Sequence, residues 1–229
     1  MKKSVAIVGG AGPTLGLALC DALTESGYQV VALSRTNEGG QKTKSSQVKF
    51  MPCDLTDEGQ VFATIREIEE NVGHIETYIH NLGGIARARF LESDARQFEQ
   101  LWKLNCLSAY HASKAVIAEM IDNSGGNIVF VGATASLKGN AEFSAFAAAK
   151  FALRGLAQSL AREFGPEGIH VAHVVIDGVM WSERAQGWGM KPEQCLQPKS
   201  VANTICHVVQ QDRSAWTHEL DIRPDVERF

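Results

Sequence analysis

Short apolar runs recur along the chain with longer helical patterns between them: SVAIVG, YQVVALS, VKFMPCD, IETYIHN, GNIVFVG, GIHVAHVVID and a last one around Glu219 to Ile222. A run that is apolar at successive positions buries side chains on both faces, as a parallel strand does when helices cover each side of its sheet. The alternation therefore predicts one doubly wound α/β domain over residues 1–229, with a parallel sheet of about seven strands. Helices are expected from about Thr14, from about Asp57, from about Asp94 to Met120, from Phe143 to Phe164 and from about Lys199. Thr56 and Ser93, each followed by a first-turn acid, are the N-cap candidates. Residues 178–198, which include WSERAQGWGMKPEQ, follow neither period. Lying between a strand's carboxyl end and the next helix, they are read as a loop that covers a substrate.

Composition narrows the function classes. The 229 residues are 45% hydrophobic and 21% charged, enough for one full-sized core. A formal net charge of -4, with both signs interspersed, leaves no basic footprint for nucleic acid. No apolar run reaches the roughly 18 to 20 residues that span a bilayer, and MKKSVAIVGGAGP turns glycine-rich too early for a signal peptide. Neither a membrane nor nucleic acid is an expected partner. The cysteines, Cys20, Cys53, Cys106, Cys195 and Cys206, form no CxxC pair and read as reduced, buried thiols of a cytoplasmic protein. No metal is expected: His170 and His173 stand at odd spacing on a strand, hence on opposite faces. The nucleophile turn GxSxG is absent, which disfavours a hydrolase.

The chemistry concentrates at strand ends. Directly after the first strand comes GGAGPTLG, Gly9 to Gly16, opening a helix whose free N–H groups and positive dipole end suit a pyrophosphate. Gly10 and Gly12 match a GxGxxG turn, with Leu15 at its third glycine. The fold class is therefore read as Rossmann-type, with its ligand crevice between the first and fourth strands. The fourth strand ends in HNLGG, where Asn81 and the glycines let backbone approach a flat ligand. At the end of the second strand a ribose-binding acid is replaced by Ser34 and Arg35. A guanidinium without a carboxylate beside it favours a 2′-phosphate, so the cofactor expected is NADP, with NAD as the alternative.

These landmarks resemble the short-chain dehydrogenase/reductase family over nearly the whole chain. Its TGxxxGxG turn falls on Gly9 to Gly16, with Gly9 in place of the threonine, Gly10 and Gly16 kept, and Thr14 in place of the middle glycine. The resemblance puts the acidic adenine contact on Asp54, with Leu55 beside it, and NNAG on His80, Asn81, Leu82 and Gly83. It puts the helix asparagine on Asn105 of LWKLNCLSAY and the YxxxK lysine on Lys150, which implies hydrogen bonds to the nicotinamide ribose. The catalytic pair differs: the tyrosine position is Phe146, and the serine position, 13 residues upstream, is Ala133. The alternative tyrosine position of the enoyl reductases is Phe143, and Tyr28, Tyr78 and Tyr110 match no active-site position. Asp177-Gly178 stands where the family has Pro-Gly.

The missing hydroxyls have a size. A positioned acid contributes on the order of 10² to 10⁴ in rate, and an oxyanion donor can contribute a comparable factor. Two readings follow. One is an NADP-dependent oxidoreductase acting on a carbonyl or alcohol, its proton supplied by Ser136, Ser144, His80 or a water held by Asn105 and Lys150. The other is a cofactor-binding protein without catalysis, acting as a sensor or interaction partner. Small residues, Ala147, Ala148, Ala149, Ala152 and Gly155, with Leu153, Leu156 and Leu160 beside them, make the Phe146 helix more apolar than one buried stripe requires. The family pairs this helix and the Asp94 to Met120 helix with copies in a neighbouring subunit, which implies a homodimer or homotetramer.

Overall fold

A computed structural model of the chain describes residues 4–36 and 47–227. Its first half runs β1 (Ser4–Gly9), α1 (Leu15–Glu25), β2 (Gln29–Ser34), β3 (Val48–Pro52), α2 (Glu58–Asn71) and β4 (His74–His80). The second half runs α3 (Ala95–Trp102), α4 (Ser108–Asp122), β5 (Gly126–Val131), α5 (Ser144–Phe164), β6 (Ile169–Ile176), α6 (Glu183–Gly187), α7 (Pro198–Val209) and β7 (Glu219–Ile222). The strands form one seven-stranded sheet in the order β3-β2-β1-β4-β5-β6-β7. Every neighbouring pair is parallel, and β1 pairs with both β2 and β4, which makes its carboxyl end the point where strand order reverses.

The continuous apolar runs are explained by a core on each face. Val5 and Ile7 of β1 pack with Val61 and Ile65 of α2, Val116 of α4 and Leu153 of α5. The intervening Ala6 and Val8 pack on the other face with Leu19 and Leu23 of α1 and Ile205 of α7. Successive side chains of one strand thus enter two cores, so no position can be polar without a buried partner.

Three local expectations are corrected. The N-cap of α2 is Asp57, whose carboxylate accepts from Gln60 N at 3.0 Å. Thr56 instead closes a turn, giving its N–H and hydroxyl to Asp54 Oδ1 at 2.9 and 2.7 Å. Likewise Asp94 caps α3 through Arg96 N, while Ser93 is spent on Phe90 O. In both cases the carboxylate takes the cap because an anion gains more than a hydroxyl from the positive helix end. The helix expected from Asp94 to Met120 is also interrupted by a wide π-type turn, Lys103–Leu107, that carries Asn105. Such bulges occur where a side chain must leave the regular helical face, commonly at functional sites.

Residues 178–198 close on themselves through a bridge between Met180 and Leu196, and contain α6 and a short 3-10 turn at Pro192–Gln194. All five cysteines are buried free thiols. Among the described residues no helix is long and apolar enough to cross a membrane, and no group of three or more His, Cys, Asp or Glu could hold a metal ion.

Candidate functional site

A cleft of about 1010 Å³ opens at the carboxyl ends of β1, β2, β4, β5 and β6. It brings together Gly10, Gly12, Thr14, Leu15, Gly16, Ser34, Arg35, Asp54, Leu55, Asn81, Leu82, Gly83, Asn105, Ala133, Phe146 and Lys150, positions separated by up to 140 residues of chain.

At one end lies the glycine turn. Gly10 has φ +81°, and a Cβ there would come within 2.6 Å of Leu82 N and Cα. A Cβ on Gly16 would lie 2.7 Å from the Ala11 backbone, whereas nothing stands within 4 Å at Gly12. Glycine is thus required by protein contacts at two positions, and the third opens onto space that a ligand can occupy. The turn is tied to its neighbours by Gly10 N and Ala11 N to Leu33 O at 2.9 and 3.1 Å. The Asn81 amide adds a bond to Gly10 O at 2.8 Å. Thr14 stands where the pattern it resembles has a glycine, and its φ of -100° is not the left-handed one that would demand glycine. It precedes a helix with no acid in its first turn, so the positive end of α1 is available to an anion.

At the β2 end of the cleft, Arg35 and Thr36 are exposed and line it, while the Ser34 hydroxyl is turned to Thr36 O. The half-buried Asp54 holds the next turn through Oδ1. Leu55 is buried beneath Gly9, its Cδ1 3.0 Å from where a Cβ on Gly9 would be.

The other end is organised around Gly83 and Gly84. A Cβ on Gly83 would meet Asn105 Oδ1 at 3.0 Å and Lys150 Nζ at 3.5 Å. Asn105 is fully buried; its Nδ2 donates to Gly84 O at 3.0 Å and Leu101 O at 2.9 Å, and its Oδ1 accepts from Gly84 N at 3.3 Å. Lys150, 5% exposed, donates to Val131 O at 2.9 Å. Burial alone pulls its pKa down to about 8, with no carboxylate countering it. Keeping this ammonium charged at neutral pH costs on the order of 3 kcal/mol, the kind of burden proteins carry at functional sites.

Ala133 and Phe146 both face the cleft, so neither position offers a hydroxyl to a ligand. Of the other proton sources weighed, Ser136 is buried with its Oγ accepting from Ala133 N at 3.2 Å. Neither Ser136, Ser144 nor His80 is among the lining residues. Residues 178–198 contribute Gly178, Met180 and Ser182 to the lining, but neither of their tryptophans. Sequence reasoning missed Thr134, which lines the cleft and donates to Asp177 Oδ1 at 2.5 Å, and Arg223, whose Nη2 lies 3.5 Å from Asp177 Oδ2. The signal was Asp177 itself, a buried acid at a strand end that needs partners.

The family model described as short chain dehydrogenase matches residues 4–189. The chain is 32% identical over 181 residues to carbonyl reductase family member 4 of Xenopus laevis, covering 78% of this chain and 75% of that one. A short-chain dehydrogenase from Rhodopseudomonas palustris superposes with a TM-score of 0.83 at 31% identity, over 96% of this chain and 98% of the other. ElxO, solved with NADP bound, superposes with a TM-score of 0.88 at 25% identity, over 98% of each chain.

Burial also sets the charge of two histidines near the cleft. His80 is pushed down to about 3 and His173 to about 4, in both cases chiefly by desolvation. Each stays neutral in the folded protein, while the unfolded chain takes up a proton near pH 6.5. Their contribution is therefore complete above pH 6.5 and is lost as pH falls towards 4 and then 3. Between pH 7 and pH 5 each should remove roughly 2 kcal/mol of stability. Urea unfolding at the two pH values measures the sum, and His80→Gln should abolish about half of the difference.

Proposed function

Because the chain belongs to the short-chain dehydrogenase family, a family of oxidoreductases, we propose that its cleft binds NADP(H) and transfers hydride to or from a carbonyl or alcohol substrate. The observation that carries this reading is the junction of a glycine turn that leaves room at Gly12 with a buried, carboxylate-free Lys150 at the other end of the same cleft. The NADP held by ElxO supports the choice of cofactor. The residues present fit the group. The N–H groups at the start of α1 would hold the pyrophosphate, Arg35 the 2′-phosphate, Asp54 and Leu55 the adenine side, and Lys150 the ribose beside the nicotinamide.

When bound, the cofactor supplies or accepts the hydride; the chain must then manage a proton at the substrate oxygen. Both hydrogens of the Asn105 amide are committed to Gly84 O and Leu101 O, and Ala133 and Phe146 have none to offer. The Lys150 ammonium, with one hydrogen on Val131 O, retains two for a water or for the substrate oxygen. Its pKa of about 8 suits proton transfer near neutrality better than an ordinary lysine. A second reading is favoured by the simultaneous absence of both hydroxyls: a protein that binds NADP(H) without turnover and responds to it as a sensor or interaction partner.

The oligomer has its own structural support. On α5, Ala147, Ala149, Leu153 and Ala157 are buried, whereas Ala148, Phe151, Gly155 and Ser159 are exposed on successive turns. Trp102 of α3 and Tyr110 and Ile121 of α4 are also exposed. A second copy packed on these helices would cover them, so we propose a homodimer or homotetramer.

Calorimetric titration should give micromolar binding with NADPH preferred over NADH, and Arg35→Ala should reduce that preference about tenfold. Absence of binding to either nucleotide would overturn the cofactor assignment. The double change Ala133→Ser with Phe146→Tyr should raise carbonyl reduction by on the order of 10² or more, and no gain would favour the sensor. Sedimentation should show a species heavier than the 24.9 kDa chain.

A further inference from the structure

Below the cleft, and outside its lining, lies a chain of wholly buried polar side chains. Tyr78 OH is 2.8 Å from His80 Nδ1, and His80 Nε2 is 3.3 Å from Ser108 Oγ. Ser108 Oγ in turn donates to Leu104 O at 2.8 Å. All three side chains have 0% exposure. The direction of the bonds follows from counting hydrogens. The Ser108 hydroxyl has one, given to Leu104 O, so the proton between Ser108 and His80 must sit on Nε2. Nδ1 is then an acceptor and receives the Tyr78 hydroxyl. Because His80 remains neutral down to about pH 3, this single tautomer holds over the whole working range.

The two ends of the chain show what it braces. At one end, Leu104 lies in the wide turn with Asn105 and Ser108 directly follows that turn as the first residue of α4, and Asn105 clamps the backbone N–H and C=O of Gly84. At the other end, the Tyr78 phenol fills the space of a side chain at position 9: a Cβ on Gly9 would lie 2.6 Å from its oxygen. Gly9 and His80 are also two positions where this chain departs from the TGxxxGxG and NNAG patterns it resembles. They are paired partners in the β1–β4 register, and both touch Tyr78. The two departures thus form one unit, in which a phenol displaces the position-9 side chain in order to orient a histidine.

We infer that His80, oriented by Tyr78 and bonded to Ser108, is a positioning residue that holds Asn105 and the Gly83–Gly84 backbone in place for the nicotinamide half of the cofactor. This rests on the NADP(H) reading. A purely apolar residue at position 80 would fill the core equally well; what it would lack is the bond that fixes the turn.

The test separates the two halves of the ligand. 2′,5′-ADP carries the adenine end alone, so His80→Leu should weaken NADPH binding about tenfold while leaving 2′,5′-ADP affinity within about twofold. His80→Gln, whose amide nitrogen can still donate to Ser108, should recover most of the loss. In the protein without nucleotide, hydrogen exchange should accelerate at Gly84 N–H and across residues 101–108 in His80→Leu and not in His80→Gln. Ser108→Ala, a smaller change that keeps the fold if His80→Leu does not, should repeat the pattern. Equal losses for both nucleotides, unchanged NADPH affinity, or a selective loss without faster exchange would each overturn the inference. If the unaltered protein binds neither nucleotide, the NADP(H) reading fails and the inference falls with it, whereas binding that ignores position 80 removes the inference alone.

Discussion

The close passage of two backbones, the Gly10 turn and the Asn81–Leu82 segment, governs the rest of the site. Nothing larger than hydrogen fits at Gly10, and the two segments are joined by Asn81 N to Gly9 O and by the Asn81 amide to Gly10 O, both at 2.8 Å. This contact exists because β1 and β4 are neighbours although two strands intervene in sequence. The crossover leaves the carboxyl ends of β1 and β4 diverging to opposite helical layers, and the cleft is the space between them. Everything that lines it is positioned relative to that joint.

The site trades stability for chemistry at identifiable atoms. Lys150 is buried with a backbone carbonyl as its bonded partner, so its charge is only weakly compensated. Asn105 costs a regular helix its continuity, since the wide turn at Lys103–Leu107 is what brings the amide onto Gly84. Both features are maintained beside two positions, Ala133 and Phe146, that have no hydroxyl to work with. A cleft that had lost its role would be expected to relax the burdens first, because replacing an uncompensated buried cation with an apolar residue is the easier change. The arrangement therefore supports a bound nicotinamide cofactor more directly than it specifies a substrate.

Polar side chains outside the cleft follow the same logic of local satisfaction. Asp57 and Asp94 take helix caps in preference to the hydroxyls that precede them, because a charged acceptor gains from the helix dipole as well as from the bond. Asp177, which interrupts a strand end where the family has proline, is held by Thr134 and Arg223. The glutamate of β7, Glu219, accepts two bonds from the Arg154 guanidinium, both at 2.7 Å, and its Oε2 lies 3.3 Å from Nδ1 of the neutral His173 ring. Asp177 and Glu219 are thus both answered by residues distant in sequence.

How much of this was legible depended on the range of the interaction. The strands, the glycine turn and Asn81 could be read because each is marked by a local pattern, an apolar period or a turn that needs glycine, whereas Asn105 and the role of Lys150 were implied only by the family resemblance. The helix caps were misplaced by one residue because hydroxyl and carboxylate compete for the same N–H groups, and propensity ranks them as near equals. Thr134 with Arg223, and the link from His80 to Ser108, left no periodic trace, since Thr134 lies 43 residues from Asp177 and His80 lies 28 from Ser108. The sequence by itself determined the doubly wound sheet, the place of the cleft and the absence of hydroxyls at positions 133 and 146. Only the tertiary structure decided which polar groups retain hydrogens for a ligand, because that depends on which partners burial has already assigned to them.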